Sequence, residues 1–445
     1  MSHIFHRHCH SHLPIAARGD GPYIIDQQGK RYLDGCSGAA VSSLGHNHPA
    51  IIDAIRHQLD NIPYAHSGFF TSEPAEALAE FLAKKAPGDL NRLYYTSGGS
   101  EAVEAALKMA RQYFLEQGDS QRQYFIARRQ SYHGNTLGAL AVGGNLWRRE
   151  QFDPLLSPVD HIAPCYSYRD KRDQETEFEY GQRVANELEQ ALLNTGPEKV
   201  LAFIAEPVVG ATSGAVPAVP GYLKRVREIC DQYGILLILD EVMCGMGRTG
   251  NLFACELDGV VPDMLTIAKG LGAGYQPIGG VMVRDHIYQA FAEGTGFFQH
   301  GHTYMAHPTA CAAALAVQQT IEQESLLARV NQLSQYLFSS LQDVFADHPY
   351  VGDIRGRGLL IGLELVADKR SKQPLPASTL IHQRIKQSAM QKGLMCYPMA
   401  GTIDGKQGHH ILLAPPFILT DLQADELIDK LQLSMQEACN TIKDL

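Results

Sequence analysis

Between residues 92 and 283 the chain alternates short β-rich apolar runs with longer stretches of helical periodicity, which limits it to a sheet covered by helices. The runs are RLYYT (92–96), YFIAR (124–128), VLAFIAEP (200–207), ILLILDEV (235–242), MLTIAK (264–269) and GGVMV (279–283). Several are apolar at consecutive positions, as a strand buried on both faces must be. After the first run Val103, Ala106, Leu107, Ala110 and Phe114 recur at helical spacing, and Leu223, Val226, Cys230 and Tyr233 share a helix face between the third and fourth. The pattern predicts a parallel α/β domain.

Both ends read differently. Residues 22–34 spell a hairpin, and residues 350–366 return to short strand patterns broken by Gly352, Gly356, Gly358 and Gly362. A last helix opens at Thr420 with Gln423 three residues on, a capping box. The expected division is a large α/β domain over residues 51–310, with a smaller α+β domain assembled from residues 1–50 and 311–445. A length of 445 residues leaves room for both.

Forty-eight acidic against 38 basic side chains give a net charge of −10, so phosphate backbones and anionic lipid are poor partners. No apolar run reaches the roughly 18 residues of a membrane span, and the opening MSHIFHRHCHSH lacks a signal core. Nine scattered cysteines without a C-x-x-C pair fit reduced thiols. The expectation is a soluble cytoplasmic protein without a nucleic-acid or membrane partner. His3, His6, His8, His10 and His12 are read as a solvated arm, because a flexible terminus lacks the fixed geometry of a metal site.

The run ILLILDEV delivers Asp240 and Glu241 at the carboxyl end of a strand, where open α/β sheets bind ligands. MLTIAK ends in Lys269, followed by Gly270, Gly272 and Gly274. Alone, such an acid and such a lysine read as a buried ion pair or as two separately solvated charges. Gly98, Gly99 and Ser100, directly before a helix, add free N–H groups and a positive dipole end that suit a phosphate. A phosphate cradle, a strand-end acid and a strand-end lysine together meet the demands of pyridoxal phosphate. Gly245, Gly247 and Gly250 also spell G-x-G-x-x-G, but no helix is expected inside those glycines, which argues against dinucleotide binding and an NAD-dependent dehydrogenase.

With these residues the sequence resembles the class III pyridoxal-phosphate-dependent aminotransferases, the ω-transaminase group of fold type I. The resemblance rests on GKRYLDG (29–35), GHNHP (45–49), SGGSEAVEAALKMAR (97–111), SYHGNTLGAL (131–140), AEPVVG (205–210), LILDEVMCGMGRTG (237–250), AKGLGAGYQPIG (268–279), GHTYMAHPTACAAALA (301–316), RGRGLLIGLEL (355–365) and APP (414–416). It implies that Lys269 is the Schiff-base lysine and proton shuttle, that Asp240 pairs with the pyridine nitrogen, and that Val242 packs beneath the ring. Tyr132 would stack on the other face, with a core aromatic as the alternative, and His133 and Gly134 would line the same turn. Gly99 and Ser100 would hold the phosphate, and Thr303 would reach it from the neighbouring subunit of a homodimer; pairing of dimers into tetramers stays open. Glu206 would lie near the phenolic edge or the substrate, or serve in a structural salt bridge.

The implied reaction moves an amino group from an amine or amino acid to a keto acid of the pyruvate or 2-oxoglutarate class by a ping-pong route; an aminomutase, epimerase or decarboxylase of the same fold is the alternative. Two departures bear on substrate. Leu412 stands where relatives that bind an α-carboxylate often carry arginine, leaving Arg355 and Arg357 as substitutes or as braces of the small domain. Ala39 and Ala40 stand where many amine-accepting relatives are bulky, so the pocket should be roomier.

Overall fold

In the computed structural model, which describes residues 3–440, a seven-stranded sheet forms the centre. Its strands are β1 (Leu90–Thr96), β2 (Tyr124–Arg128), β3 (Asp160–Ile162), β4 (Val200–Ala205), β5 (Leu236–Asp240), β6 (Met264–Ile267) and β7 (Gly279–Arg284), in the order β1-β7-β6-β5-β4-β2-β3. Strands β4, β5 and β6 are buried at every position, as their uninterrupted apolar runs require. The helix predicted after the first run is α1 (Gly99–Glu116), with Val103, Ala106, Leu107, Ala110 and Phe114 all buried. The second is α2 (Tyr222–Tyr233), which buries Leu223, Val226 and Cys230.

The mainly parallel sheet expected for the large domain carries one antiparallel strand. β7 runs antiparallel to both β6 and β1, while the pairs among β6, β5, β4, β2 and β3 are parallel. A parallel return from β6 would need a crossover of a dozen residues or more, usually a helix. Residues 268–278 contain only a single 3-10 turn at Lys269–Leu271, so the chain folds straight back. β3 was not anticipated at all; three residues carry no usable periodicity.

The predicted hairpin pairs Tyr23–Asp26 with Arg31–Asp34, and Leu394–Met395 adds beside it in parallel. A second terminal sheet holds Val351–Arg357, Leu360–Asp368, His409–Leu413 and Tyr397–Ala400. One apolar core joins these ends: Leu33 packs in the same cluster as Leu337, Leu363, Leu427 and Leu431. The final helix, Asp421–Asn440, is capped as expected: Gln423 N–H donates to Thr420 Oγ1 (3.3 Å), and Thr420 N–H donates to Gln423 Oε1 (3.0 Å). Among the described residues no helix is long and apolar enough to cross a membrane.

Candidate active site

Three adjacent parallel strands bring the reactive groups to one edge. The register sets Leu239 beside Ala205 and Asp240 beside Thr266, so Glu206, Asp240 and Lys269 leave the sheet together at its carboxyl edge. Asp240 is 4% exposed. Its Oδ1 accepts from the Val242 N–H (3.0 Å) and from Thr266 Oγ1 (3.1 Å), and its Oδ2 lies 2.7 Å from His133 Nδ1. A carboxylate only accepts, so Nδ1 donates. His133 Nε2 is buried without a partner.

Lys269 does not close an ion pair with Asp240. Among the described residues its Nζ makes neither a salt bridge nor a hydrogen bond, which removes the reading of a simple buried pair. Its backbone sits at φ +44°, a left-handed conformation that costs a non-glycine residue about 1–3 kcal/mol and persists only when held from outside. Gln318 supplies that hold: its Nε2 donates to the carbonyls of Gly270 and Leu271, both at 3.0 Å. Burial lowers the lysine's pKa, and the charges of Asp240 and Glu206 oppose that shift.

Helix α1 starts beside this pair. A Cβ on Gly99 would stand 2.7 Å from Val242 Cγ1, so only glycine lets the helix end approach Val242, two residues after Asp240, closely. Gly134, at φ +138°, presses on Ser100 in the same way. Ser100 Oγ accepts from the Asn135 N–H (3.0 Å), which leaves its own hydrogen to donate to an anion. Glu104 ties the turn down by accepting from Thr136 Oγ1 (2.7 Å) and the Ala139 N–H (3.1 Å).

Tyr132 is half-buried, and its N–H donates to Glu206 Oε1 (3.0 Å), while Glu206 Oε2 accepts from the Gly210 N–H (2.9 Å). Among the described residues Glu206 has no cationic side chain in ion-pair range, so the salt bridge considered for it is absent. Its carboxyl pKa is raised, by burial first, with His133 opposing and Asp240 adding. Thr303 stands apart: it is exposed on the loop before helix α3 (Pro308–Gln323), its carbonyl accepts from Tyr64 Oη (2.9 Å), and no hydrogen bond links it to the cluster.

The remaining sequence cues fall into supporting roles. Leu412 is 1% exposed and packs with Ala40, Leu360 and Ala414. Arg355 is saturated by Glu364 (2.5 Å), Asp353 (2.9 Å) and the carbonyls of Ser213 and Gly214. Arg357 pairs with Asp258 (2.6 Å). Residues 245–250 form a looped turn with no helix inside the glycines, and Glu241 anchors it by accepting from the N–H groups of Ala254 (2.6 Å) and Cys255 (2.8 Å). The dinucleotide pattern is therefore accidental.

Sequence reasoning missed two members. Thr266 was visible only as the residue that strand register would set beside Asp240. Arg148, whose guanidinium lies 4.6 Å from the Tyr132 ring centre, carried no local signal in LWRR. The assembled residues fit pyridoxal phosphate: a partnerless amine for the aldehyde, a fixed carboxylate for the ring nitrogen, and a glycine-lined helix end for the phosphate.

Comparison with known proteins agrees. Residues 4–435 match the family "Aminotransferase class-III". An uncharacterized aminotransferase of Schizosaccharomyces pombe is 44% identical over 97% of this chain and 94% of its own. An (S)-enantioselective omega-transaminase from Thermomicrobium roseum superposes with a TM-score of 0.91 at 35% identity, covering 97% of this chain and 96% of that one. A PMP-bound aminotransferase from Vibrio fluvialis gives 0.89 at 33% identity, covering 96% and 93%. The chain belongs to the class-III aminotransferases, enzymes that transfer amino groups with pyridoxal phosphate.

Proposed function

We propose that this aminotransferase moves an amino group from an amine or amino acid to a keto acid such as pyruvate or 2-oxoglutarate, in two ping-pong half-reactions at the Lys269–Asp240 edge. The observation that carries the residue assignment is the Lys269 amine, partnerless and depressed in pKa by burial, at the same sheet edge as a carboxylate fixed by three donors. When bound, the cofactor supplies an electron sink for the bond broken at the substrate carbon.

The chain's own residues do the rest. Lys269 Nζ would hold the cofactor by its aldehyde carbon and, once released, would accept the substrate proton and return it; burial lowers the pKa of that amine. Asp240 holds a proton on the ring nitrogen, and His133 and Thr266 keep the carboxylate aimed. Gly99, Ser100 and Gly134 receive the phosphate at the end of α1. Val242 and Tyr132 would hold the cofactor ring between them, with Glu206 bracing the Tyr132 backbone.

Thr303 completes the cradle from a second copy of the chain. Support for a homodimer comes from exposed Phe69, Phe70, Phe297 and Tyr304 on the loops around Thr303, and from the buried, unpartnered Nε2 atoms of His300 and His302. The free thiols of Cys9, Cys36, Cys165, Cys230, Cys244, Cys255, Cys311 and Cys396 support a reducing, cytoplasmic location. The shared terminal core supports a smaller domain assembled from both ends of the chain.

Mixing the holoenzyme with L-alanine and no acceptor tests the reaction. One equivalent of pyruvate and a stoichiometric loss of the cofactor's visible band are expected, reversed by adding a keto acid. Racemised or rearranged substrate with no keto acid released would instead favour the epimerase or aminomutase reading.

A further inference from the structure

At this edge Arg148 keeps an uncommitted guanidinium, and Arg7 is a second arginine whose charge reaches Tyr132. Among the described residues Arg148 makes no ion pair and no side-chain hydrogen bond, and its only charge-related contacts are with the rings of Tyr132 (4.6 Å) and Trp147 (5.8 Å). Its neighbour shows the contrast: Arg149 Nη1 donates to the carbonyls of Leu140, Ala141 and Gly143. Arg355 and Arg357 are closed by carboxylates, and Leu412 offers no charge.

The turn that presents Arg148 is built, not loose. Asn145 Oδ1 accepts from the Arg148 N–H (3.3 Å), and Asn145 Nδ2 donates to Gln130 Oε1 (3.1 Å). Gln130 in turn donates to the carbonyls of Gly401 (2.8 Å) and Thr402 (3.1 Å), fastening the turn to the C-terminal part of the chain. The guanidinium is half-buried, lies against the aromatic residue that precedes His133, and keeps its N–H edges free. Its charge reaches the phenol: burial raises the Tyr132 pKa and Arg148 opposes that rise.

We propose that Arg148 is the residue that receives the substrate's carboxylate, which makes the preferred amino-group acceptor a keto acid rather than a carboxylate-free aldehyde or ketone. A planar guanidinium placed over a ring, with its N–H groups unpaired, presents a fork that matches a carboxylate in two parallel hydrogen bonds. The inference rests on the transfer reaction placed at this edge in the preceding section.

Wild-type, Arg148→Met and Arg148→Lys holoenzymes, converted to the aminated form, are to be compared with pyruvate, 2-oxoglutarate and propanal as acceptors. Losing a charged hydrogen-bond pair typically changes an equilibrium about 10- to 100-fold. Arg148→Met should therefore raise KM for the keto acids by about that factor with kcat within about threefold, and leave propanal unchanged. Arg148→Lys should recover part of the loss. Binding of acetate to the unreacted holoenzyme, read from its visible spectrum, should weaken in parallel. Unchanged keto-acid KM in Arg148→Met, an equal loss with propanal, or wild-type preference for propanal would each overturn the assignment of Arg148 and leave the aminotransferase reaction standing. No transfer to any of the three acceptors would overturn the proposed reaction and this inference with it.

Discussion

Replacing Gly99 by alanine tests whether the end of helix α1 and Val242 are packed as tightly as the cofactor fit requires. The added Cβ would stand 2.7 Å from Val242 Cγ1 and 3.1 Å from Cγ2, where carbon atoms normally rest about 3.5–4.0 Å apart. About 1 Å must be absorbed by moving the helix end or the valine, and overpacking of this kind costs about 1–3 kcal/mol. Alanine returns about 0.5–1 kcal/mol by favouring the helical backbone, so the net loss should centre on about 1 kcal/mol and reach at most about 2.5 kcal/mol. If the helix end moves, the phosphate donors move with it, and cofactor affinity should fall about tenfold. Val242→Ala removes both clashing atoms, and the double mutant should recover about 1 kcal/mol relative to the sum of the single changes. Urea unfolding of the cofactor-free proteins and a fluorescence titration with pyridoxal phosphate measure the two quantities. A Gly99→Ala protein with wild-type stability and affinity, or a penalty untouched by Val242→Ala, would refute the close-approach argument.

Asp240→Asn keeps the shape but removes the charge that steadies the ring nitrogen, so kcat should fall about 10²–10³-fold while KM shifts far less; steady-state kinetics would detect a near-normal kcat as a contradiction. Burial pushes Glu241 up to about 7 against its usual 4.5, with the Ala254 and Cys255 N–H groups opposing. The folded state therefore binds this proton more tightly than the unfolded state, and stability falls as pH rises from about 4.5 to about 7 and then levels. Glu241→Gln lacks that titration, so its stability relative to wild type should climb by about 3 kcal/mol across the same window; chemical unfolding at several pH values that gives a flat difference would exclude the effect.

Much of the site was readable because strand chemistry is local. An all-apolar run that ends in Asp240, and another that ends just before Lys269, place both groups at the carboxyl edge whatever the rest of the chain does. Gly98 to Ser100 ahead of an amphipathic helix is equally local, and so is the cap at Thr420. The direction of β7 was not readable from its own residues, since GGVMV pairs either way; the short connection from β6 decides it. The contact between His133 and Asp240 joins a loop residue after β2 to the end of β5, and the contact of Arg148 with Tyr132 depends on a turn held by Asn145 and Gln130. Thr303 illustrates another boundary: its sequence context resembles a phosphate ligand, yet within one chain it lies exposed, apart from the cluster.

The most direct test of the account is to reduce the holoenzyme with borohydride and map the modified peptide by mass spectrometry. The account predicts one pyridoxyl group per chain, on the side chain of Lys269, with loss of the visible absorbance. A label on any other lysine, or none on a protein that still transfers amino groups, would contradict it.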